Sequence, residues 1–105
     1  MKEYSLKTVS ETIGLDEETI LMLLEEFFSV MDEEIDKLES VVKAGDAEQI
    51  RHVAHKMKGA SANMMVEDMR AYCSELQDAD KTDAKLVESL FSKIVESYKE
   101  FKGLF

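Results

Sequence analysis

The chain has 105 residues, no proline, one cysteine and a formal net charge of −10 at pH 7. This length suits one domain with a hydrophobic core, and the negative charge argues against nucleic acid or an anionic membrane as a partner. The longest uninterrupted apolar run, Ile20 to Leu24, is too short to span a bilayer, and the first residues lack the pattern of a secretion signal. Because Cys73 is predicted to be a reduced core residue, we expect a cytoplasmic protein.

The first predicted element is a short helix. Leu6, Val9 and Ile13 recur at helical spacing, and Gly14 is expected to end the helix. Asp16 is then the predicted N-cap of the next helix, because its carboxylate can accept a hydrogen bond from a free N–H group of the first turn.

A long second helix follows, which we expect to continue to Lys43 before Gly45 ends it. Its apolar residues recur at steps of three and four, the period of one buried stripe. They are Ile20, Leu24, Phe27, Met31, Ile35, Leu38 and Val42. Its opposite face is predicted to be solvated and carries Glu25, Glu26, Asp32, Glu33 and Asp36.

Asp46 is the predicted N-cap of a third helix, whose apolar period breaks after Met64. A fourth helix is expected from about Glu67, followed by a polar loop over residues 78–83 and a last helix that ends near Gly103. The inward residues of these two helices are predicted to be Met69, Tyr72, Cys73 and Leu76, then Leu86 or Val87, Leu90, Ile94, Tyr98 and Phe101.

Four long helices with one apolar stripe each and short loops predict an all-α fold. We expect an up-and-down antiparallel four-helix bundle with a short additional N-terminal helix. Residues 1–105 are predicted to form this bundle as a single domain.

The third helix carries His55, the residue that we expect to be functional. At about 100° per residue, its imidazole lies roughly 160° from the centre of the apolar stripe and therefore points outward. That stripe comprises Ile50, Val53, Ala54, Met57, Ala60 or Ser61, and Met64. The outward neighbours of the imidazole at helical spacing are Glu48, Arg51, His52, Lys58, Gly59 and Ala62.

The segment around His55 is basic, although the protein as a whole is acidic. Residues 50–65 include no Asp or Glu, whereas Arg51, Lys56 and Lys58 are positively charged. Such a surface suits a phosphate group or the carboxylates of a partner.

Gly59 follows His55 by one helical turn on the same face, although glycine costs a helix interior about 1 kcal/mol relative to alanine. One interpretation is that Gly59 keeps the imidazole open to an incoming group. The other is that Lys58 and Gly59 simply end the helix. We favour a continuing helix, because the apolar period extends to Met64.

The sequence shows no apparatus for handling a nucleotide. It has no glycine-rich phosphate loop, no plausible Ser-His-Asp order and no cysteine close to a histidine in sequence, so we do not expect an autonomous enzyme. A neutral imidazole can nevertheless attack an activated phosphoryl group.

The segment Ala54-His55-Lys56-Met57-Lys58-Gly59-Ala60-Ser61 resembles the AHxLKGxS motif of histidine-containing phosphotransfer (HPt) domains. The helix pattern is similar to theirs over residues 5–101. The resemblance implies a phosphorelay protein of two-component signalling. His55 would accept a phosphoryl group from the aspartyl phosphate of one receiver domain and pass it to another.

The same resemblance implies roles for the residues around His55. Lys58 would compensate the phosphoryl charge, and the open surface at Gly59 would dock the receiver domain. No cofactor is expected in the chain itself, and Mg²⁺ would come from the partner receiver. The partners would be receiver domains of response regulators or of a hybrid histidine kinase, and the chain would bind them as a monomer. Neither a nucleic acid nor a membrane is expected as a partner. We expect the docking surface to include Arg51, His52, Lys56 and Ala62 as well.

Two residues depart from the family pattern. Met57 replaces the usual leucine, which is a nearly volume-conserving change. Met65 lies where the family commonly has glycine, so the conformation of the turn after the third helix is left for the structure to decide.

Two other functions stay open at this stage. Glu48, His52 and His55 share a helix face and could bind a metal ion, although they face outward beside Arg51 and Lys58. The chain could also be a helical interaction module whose acidic faces bind a basic partner. That interpretation predicts that His55→Gln leaves partner function intact.

Overall fold

The computed structural model describes residues 4–105, within which every regular element is a helix. The helices are α1 (Leu6–Ile13), α2 (Glu17–Ala44), α3 (Ala47–Asn63), α4 (Glu67–Asp78) and α5 (Ala84–Lys102). All five were predicted from the apolar periods, and the bounds differ from the predicted ones by a few residues at most.

Aspartates cap the start of three helices, α2, α3 and α5, and glycines in the left-handed conformation end two, α1 and α2. Asp16 accepts a hydrogen bond from the Thr19 N–H at 2.7 Å, and Asp46 accepts one from the Gln49 N–H at 3.2 Å. Each carboxylate satisfies an N–H group that the first helical turn leaves without a partner. Gly45 ends α2 with a φ of 65°, in the left-handed region where only glycine is free of steric cost.

The four long helices form a closed bundle. α3 packs against α2 and α4, α5 packs against α4 and α2, and α1 packs on α2. Because the loops between successive helices have only two to five residues, the neighbours run antiparallel. The bundle is 43 Å long, which is close to the length of the 28-residue α2 alone. The predicted fold class is confirmed.

Five of the seven residues predicted for the buried stripe on α2 are buried, and the stripe also includes a charged residue that the sequence did not indicate. Ile35 and Val42 are only half-buried, whereas the carboxylate residue Glu34 is buried at 3% exposure. On α5, Val87 occupies the core position and Leu86 is exposed.

Cys73 lies wholly inside the bundle as a free thiol, as predicted. Burial raises the pKa of this thiol to about 12, so the reactive thiolate is scarcely populated near neutral pH. No helix within residues 4–105 is long and apolar enough to cross a membrane.

Candidate functional site

Helix α3 presents His55 to solvent, as the helical period predicted. Val53, Ala54 and Met57 lie on the other side of the same helix and are buried against the rest of the bundle. The imidazole is therefore held on a rigid element whose orientation is fixed by the core beneath it. No hydrogen bond or ion pair joins this ring to any of residues 4–105.

The helix continues without a break through Gly59 to Asn63. The interpretation that Lys58 and Gly59 end the helix is therefore wrong. A Cβ built on Gly59 would meet no atom within 4 Å. The surface one turn beyond His55 is thus open, and no other part of the described chain fills it.

Lys58 lies three residues after His55 and is half-buried. Residues at this spacing are neighbours on a helix surface, so the ammonium can reach an anion bound to the imidazole. No hydrogen bond or ion pair joins Lys58 to another residue in the described part of the chain. Its positive charge is therefore available to a ligand.

Lys56 is in a different situation, because its ammonium is already paired. Lys56 Nζ donates to Glu34 Oε1 on α2 at 2.8 Å, and Lys37 Nζ lies 3.4 Å from the same oxygen. Burial opposes ionisation of Glu34, but the hydrogen bonds from the two lysines outweigh it and lower the pKa of the carboxyl. The hydrogen bond to Glu34 in turn raises the pKa of Lys56.

Arg51, His52 and Ala62 are all exposed on α3, so three further residues predicted for the docking surface lie on the outside of the bundle. Lys81, in the loop after α4, lies within electrostatic range of Arg51 on α3. Burial is the main cause of the lowered pKa of Lys81, and the positive charge of Arg51 adds to it.

Lys81 is fixed by the end of α4. Its ammonium donates to the carbonyl oxygens of Gln77 and Ala79, the latter at 2.8 Å. From the sequence, Lys81 was predicted only to lie in a polar loop, and its proximity to α3 was not predicted. A local pattern cannot show this, because the two segments meet only when α3 and α4 pack.

The turn after α3 adopts a left-handed conformation that glycine tolerates better than other residues. Met65 has a φ of 59°, in the left-handed region. The N–H of Val66 donates to the Ser61 carbonyl at 2.9 Å, and the N–H of Met65 donates to the Ala62 carbonyl at 3.1 Å. This pair of bonds is the Schellman motif that commonly ends helices, and glycine is its usual central residue.

An open groove lies beside α3, where it meets α1 and α2. Its lining is mostly apolar, with Glu26 and Asn63 as the polar members. The apolar residues are Ile13, Leu23, Phe27, Val30, Ala60 and Met64.

Within residues 4–105, no group of three or more His, Cys, Asp and Glu side chains is placed to hold a metal ion. Glu48, His52 and His55 share a face of α3 but do not form such a group.

A protein-family model described as Hpt domain matches residues 22–100. This range contains most of α2, all of α3 and α4, and nearly all of α5. The chain therefore belongs to the Hpt-domain family. Comparison with curated proteins and with solved structures found no match.

Membership of this family implies histidine phosphotransfer in phosphorelay signalling. Hpt domains carry a phosphoryl group rather than act as enzymes of their own, and they interact with receiver domains.

Proposed function

We propose that this domain relays a phosphoryl group between aspartyl-phosphate receiver domains, and that His55 is the residue that carries it. The observation that supports this assignment most directly is the exposure of His55 on α3, followed one turn later by open space at Gly59. An in-line displacement needs unobstructed approach to the attacking nitrogen, and this surface allows it.

In the proposed step, the lone pair of the outer ring nitrogen, Nε2, attacks the phosphorus of the receiver's aspartyl phosphate. A P–N bond forms while the P–O bond to the aspartate breaks, and the aspartate leaves as a carboxylate. The exposed ring can then release its Nδ1 proton to water. The reverse sequence passes the phosphoryl group to a second receiver.

Lys58 is the residue that we assign to charge compensation. A transferring phosphoryl group spreads negative charge over its oxygens, and a nearby ammonium stabilises that charge. Lys58 is three residues from His55 and is unpaired within residues 4–105. We propose that the receiver supplies Mg²⁺ and that this chain contributes no cofactor.

The proposed docking surface surrounds His55 and includes Gly59 and the groove beside α3. The groove gives an incoming receiver apolar area to bury, and burial of such area is a main source of affinity. Arg51, His52, Lys56 and Ala62 complete this surface in our proposal.

We further propose that the domain works as a monomer in the cytoplasm. Receiver domains of response regulators or of a hybrid histidine kinase would be its partners there. The buried free thiol of Cys73 is compatible with a reducing compartment.

The test is incubation of the purified domain with a receiver domain that carries radiolabelled aspartyl phosphate. We expect the domain to acquire label that survives alkali and is lost in acid, as phosphohistidine does. His55→Gln should abolish this label, whereas His52→Gln should retain it. Label in His55→Gln, or none in the unaltered domain with any receiver tried, would refute the assignment.

A further inference from the structure

Two lysines follow His55 closely in the sequence, at positions 56 and 58, and their surroundings in the structure differ. Lys56 Nζ donates to Glu34 Oε1 at 2.8 Å, so its charge is offset by a carboxylate. Lys58 has no such partner within residues 4–105. Of the two ammonium groups, only that of Lys58 is therefore free to interact with an anion on His55.

The Glu34–Lys56 pair differs from the other ion pairs of the surface. The Glu34 side chain is only 4% exposed, and it joins α2 to a residue 22 positions further along the chain. A carboxylate that is removed from water to this extent is stable as an ion only when cations and hydrogen-bond donors surround it. Lys56 and Lys37 provide them.

The direction of the contact between Lys56 and Glu34 determines on which side of His55 the Lys56 ammonium lies. On a helix, Lys56 lies about 100° around the axis from His55, on the side that faces α2. Lys58 lies about 60° from His55 on the opposite side by the same arithmetic. The bond to Glu34 draws the flexible Lys56 side chain toward α2, away from the ring of His55.

We propose that Glu34 is a positioning residue for phosphoryl transfer, because it holds Lys56 against α2 and leaves Lys58 as the lysine that compensates the phosphoryl charge on His55. This inference rests on the proposed function. A phosphoryl carrier must release its group as well as accept it. One free ammonium beside His55 binds the phosphoryl group less strongly than two would, and so favours onward transfer.

The inference predicts how the phosphoryl group distributes between the domain and a receiver at equilibrium. Glu34→Gln keeps the shape of the side chain and removes its charge, so that the charge of Lys56 is no longer offset. One additional unit of positive net charge near a doubly charged phosphoryl group should favour the phosphorylated domain by about two- to fourfold, after allowance for salt screening.

A comparison of the unaltered domain with two single variants and their double variant distinguishes this electrostatic role from a purely structural one. Glu34→Gln should raise the phosphorylated fraction above that of the unaltered domain, and Lys56→Met should lower it. The double variant restores the original local charge and should return the fraction to its original value. Loss of stability alone predicts no such order, because all three variants lose the Glu34–Lys56 ion pair, and the double variant loses the same two ion pairs of Glu34 as Glu34→Gln does. Glu39→Gln, which breaks an exposed pair with Lys43 at 3.5 Å on the same helix, is the matched control and should change nothing.

Each variant is first shown to be folded at the assay temperature by circular dichroism. Should Glu34→Gln fail to fold, Glu34→Met provides an apolar side chain of similar volume at this buried position, and the same shift is expected. An unchanged or lowered phosphorylated fraction in the folded variant would overturn the inference, as would a double variant that behaves like Glu34→Gln. If the unaltered domain takes no label at all, it is the proposed relay that fails.

Discussion

Gly59 lies one helical turn after His55 on the same face of α3, and a Cβ placed on it would meet no atom within 4 Å. The helix continues through this residue, so nothing in the described fold requires a glycine there. An alanine would fit and would favour the helix. The space that glycine leaves supports the proposal that a receiver domain approaches His55 from this side.

Gly59→Ala should stabilise the domain. The free energy of unfolding is expected to rise by about 0.5–1 kcal/mol, because alanine loses less backbone entropy in a helix and meets no neighbour here. Urea denaturation followed by circular dichroism measures this change. A decrease in stability would show that the position is more crowded than the structure indicates.

Gly59→Leu should slow phosphoryl transfer much more than it affects folding. A leucine side chain at this position would extend over the face that an incoming receiver must approach. We expect the rate of label transfer to fall at least tenfold while the unfolding transition stays within about 1 kcal/mol of the original. Ser92→Leu places the same side chain on the exposed face of α5 and should leave the transfer rate unchanged. Equal rates for the two leucine variants would contradict the proposed role of Gly59.

Met65 should tolerate glycine better than valine. Its φ of 59° is sterically costly for residues with a Cβ, and most costly for β-branched ones. We expect Met65→Val to be less stable than Met65→Gly by about 1–2 kcal/mol, although valine preserves more apolar surface. Thermal unfolding of the two variants side by side decides the order, and a more stable valine variant would contradict the observed turn.

The Glu34–Lys56 pair should make the free energy of unfolding depend on pH in two ranges, one acidic and one alkaline. Because the pKa of Glu34 is lowered in the folded state, its contribution is present above the ordinary glutamate pKa and is lost as the pH falls through the folded value. Because the pKa of Lys56 is raised, its contribution is present below the ordinary lysine pKa and is lost as the pH rises through the folded value. Urea midpoints across the acid range should therefore fall less steeply for Glu34→Gln than for the unaltered domain. Parallel curves would show that Glu34 does not carry this effect.

Tyr98→Phe should weaken the contact between α5 and α2. The Tyr98 hydroxyl is 2.7 Å from Asp32 Oδ1 and 2.9 Å from the Phe28 carbonyl oxygen, and its hydrogen bond is the main reason that the pKa of Asp32 is lowered. Loss of this hydroxyl should reduce the free energy of unfolding by about 1 kcal/mol. Tyr72→Phe is the matched control, because the Tyr72 hydroxyl makes no hydrogen bond within residues 4–105. Equal losses in the two variants would contradict a specific role for the bond.

The helices could be predicted from the sequence because their ends carry local signals. Asp16 and Asp46 cap the helices that follow them, and Gly14 and Gly45 adopt the left-handed conformation that ends a helix. The outward position of His55 could be predicted for a similar reason, since the direction of a side chain follows from the helical period alone.

The environment of His55 could not be predicted in the same way. Glu34 lies one residue before Ile35, and hydrophobicity favoured Ile35 for the core position. The burial of Glu34 becomes favourable only when α3 brings Lys56 to it, and this contact spans 22 residues. The approach of Lys81 to Arg51 likewise depends on how α3 and α4 pack. Helical periodicity describes single helices and carries no information about such pairs.

The central claim is that His55 receives a phosphoryl group and also gives it up, and the most direct test follows both steps on one sample. The domain is labelled by a first receiver, separated from it, and mixed with a second, unlabelled receiver and Mg²⁺. We predict that acid-labile label leaves the domain and appears on the second receiver as the alkali-labile label of an aspartyl phosphate. Label that stays on the domain with every receiver tried, or that peptide mapping finds at a residue other than His55, would contradict the account.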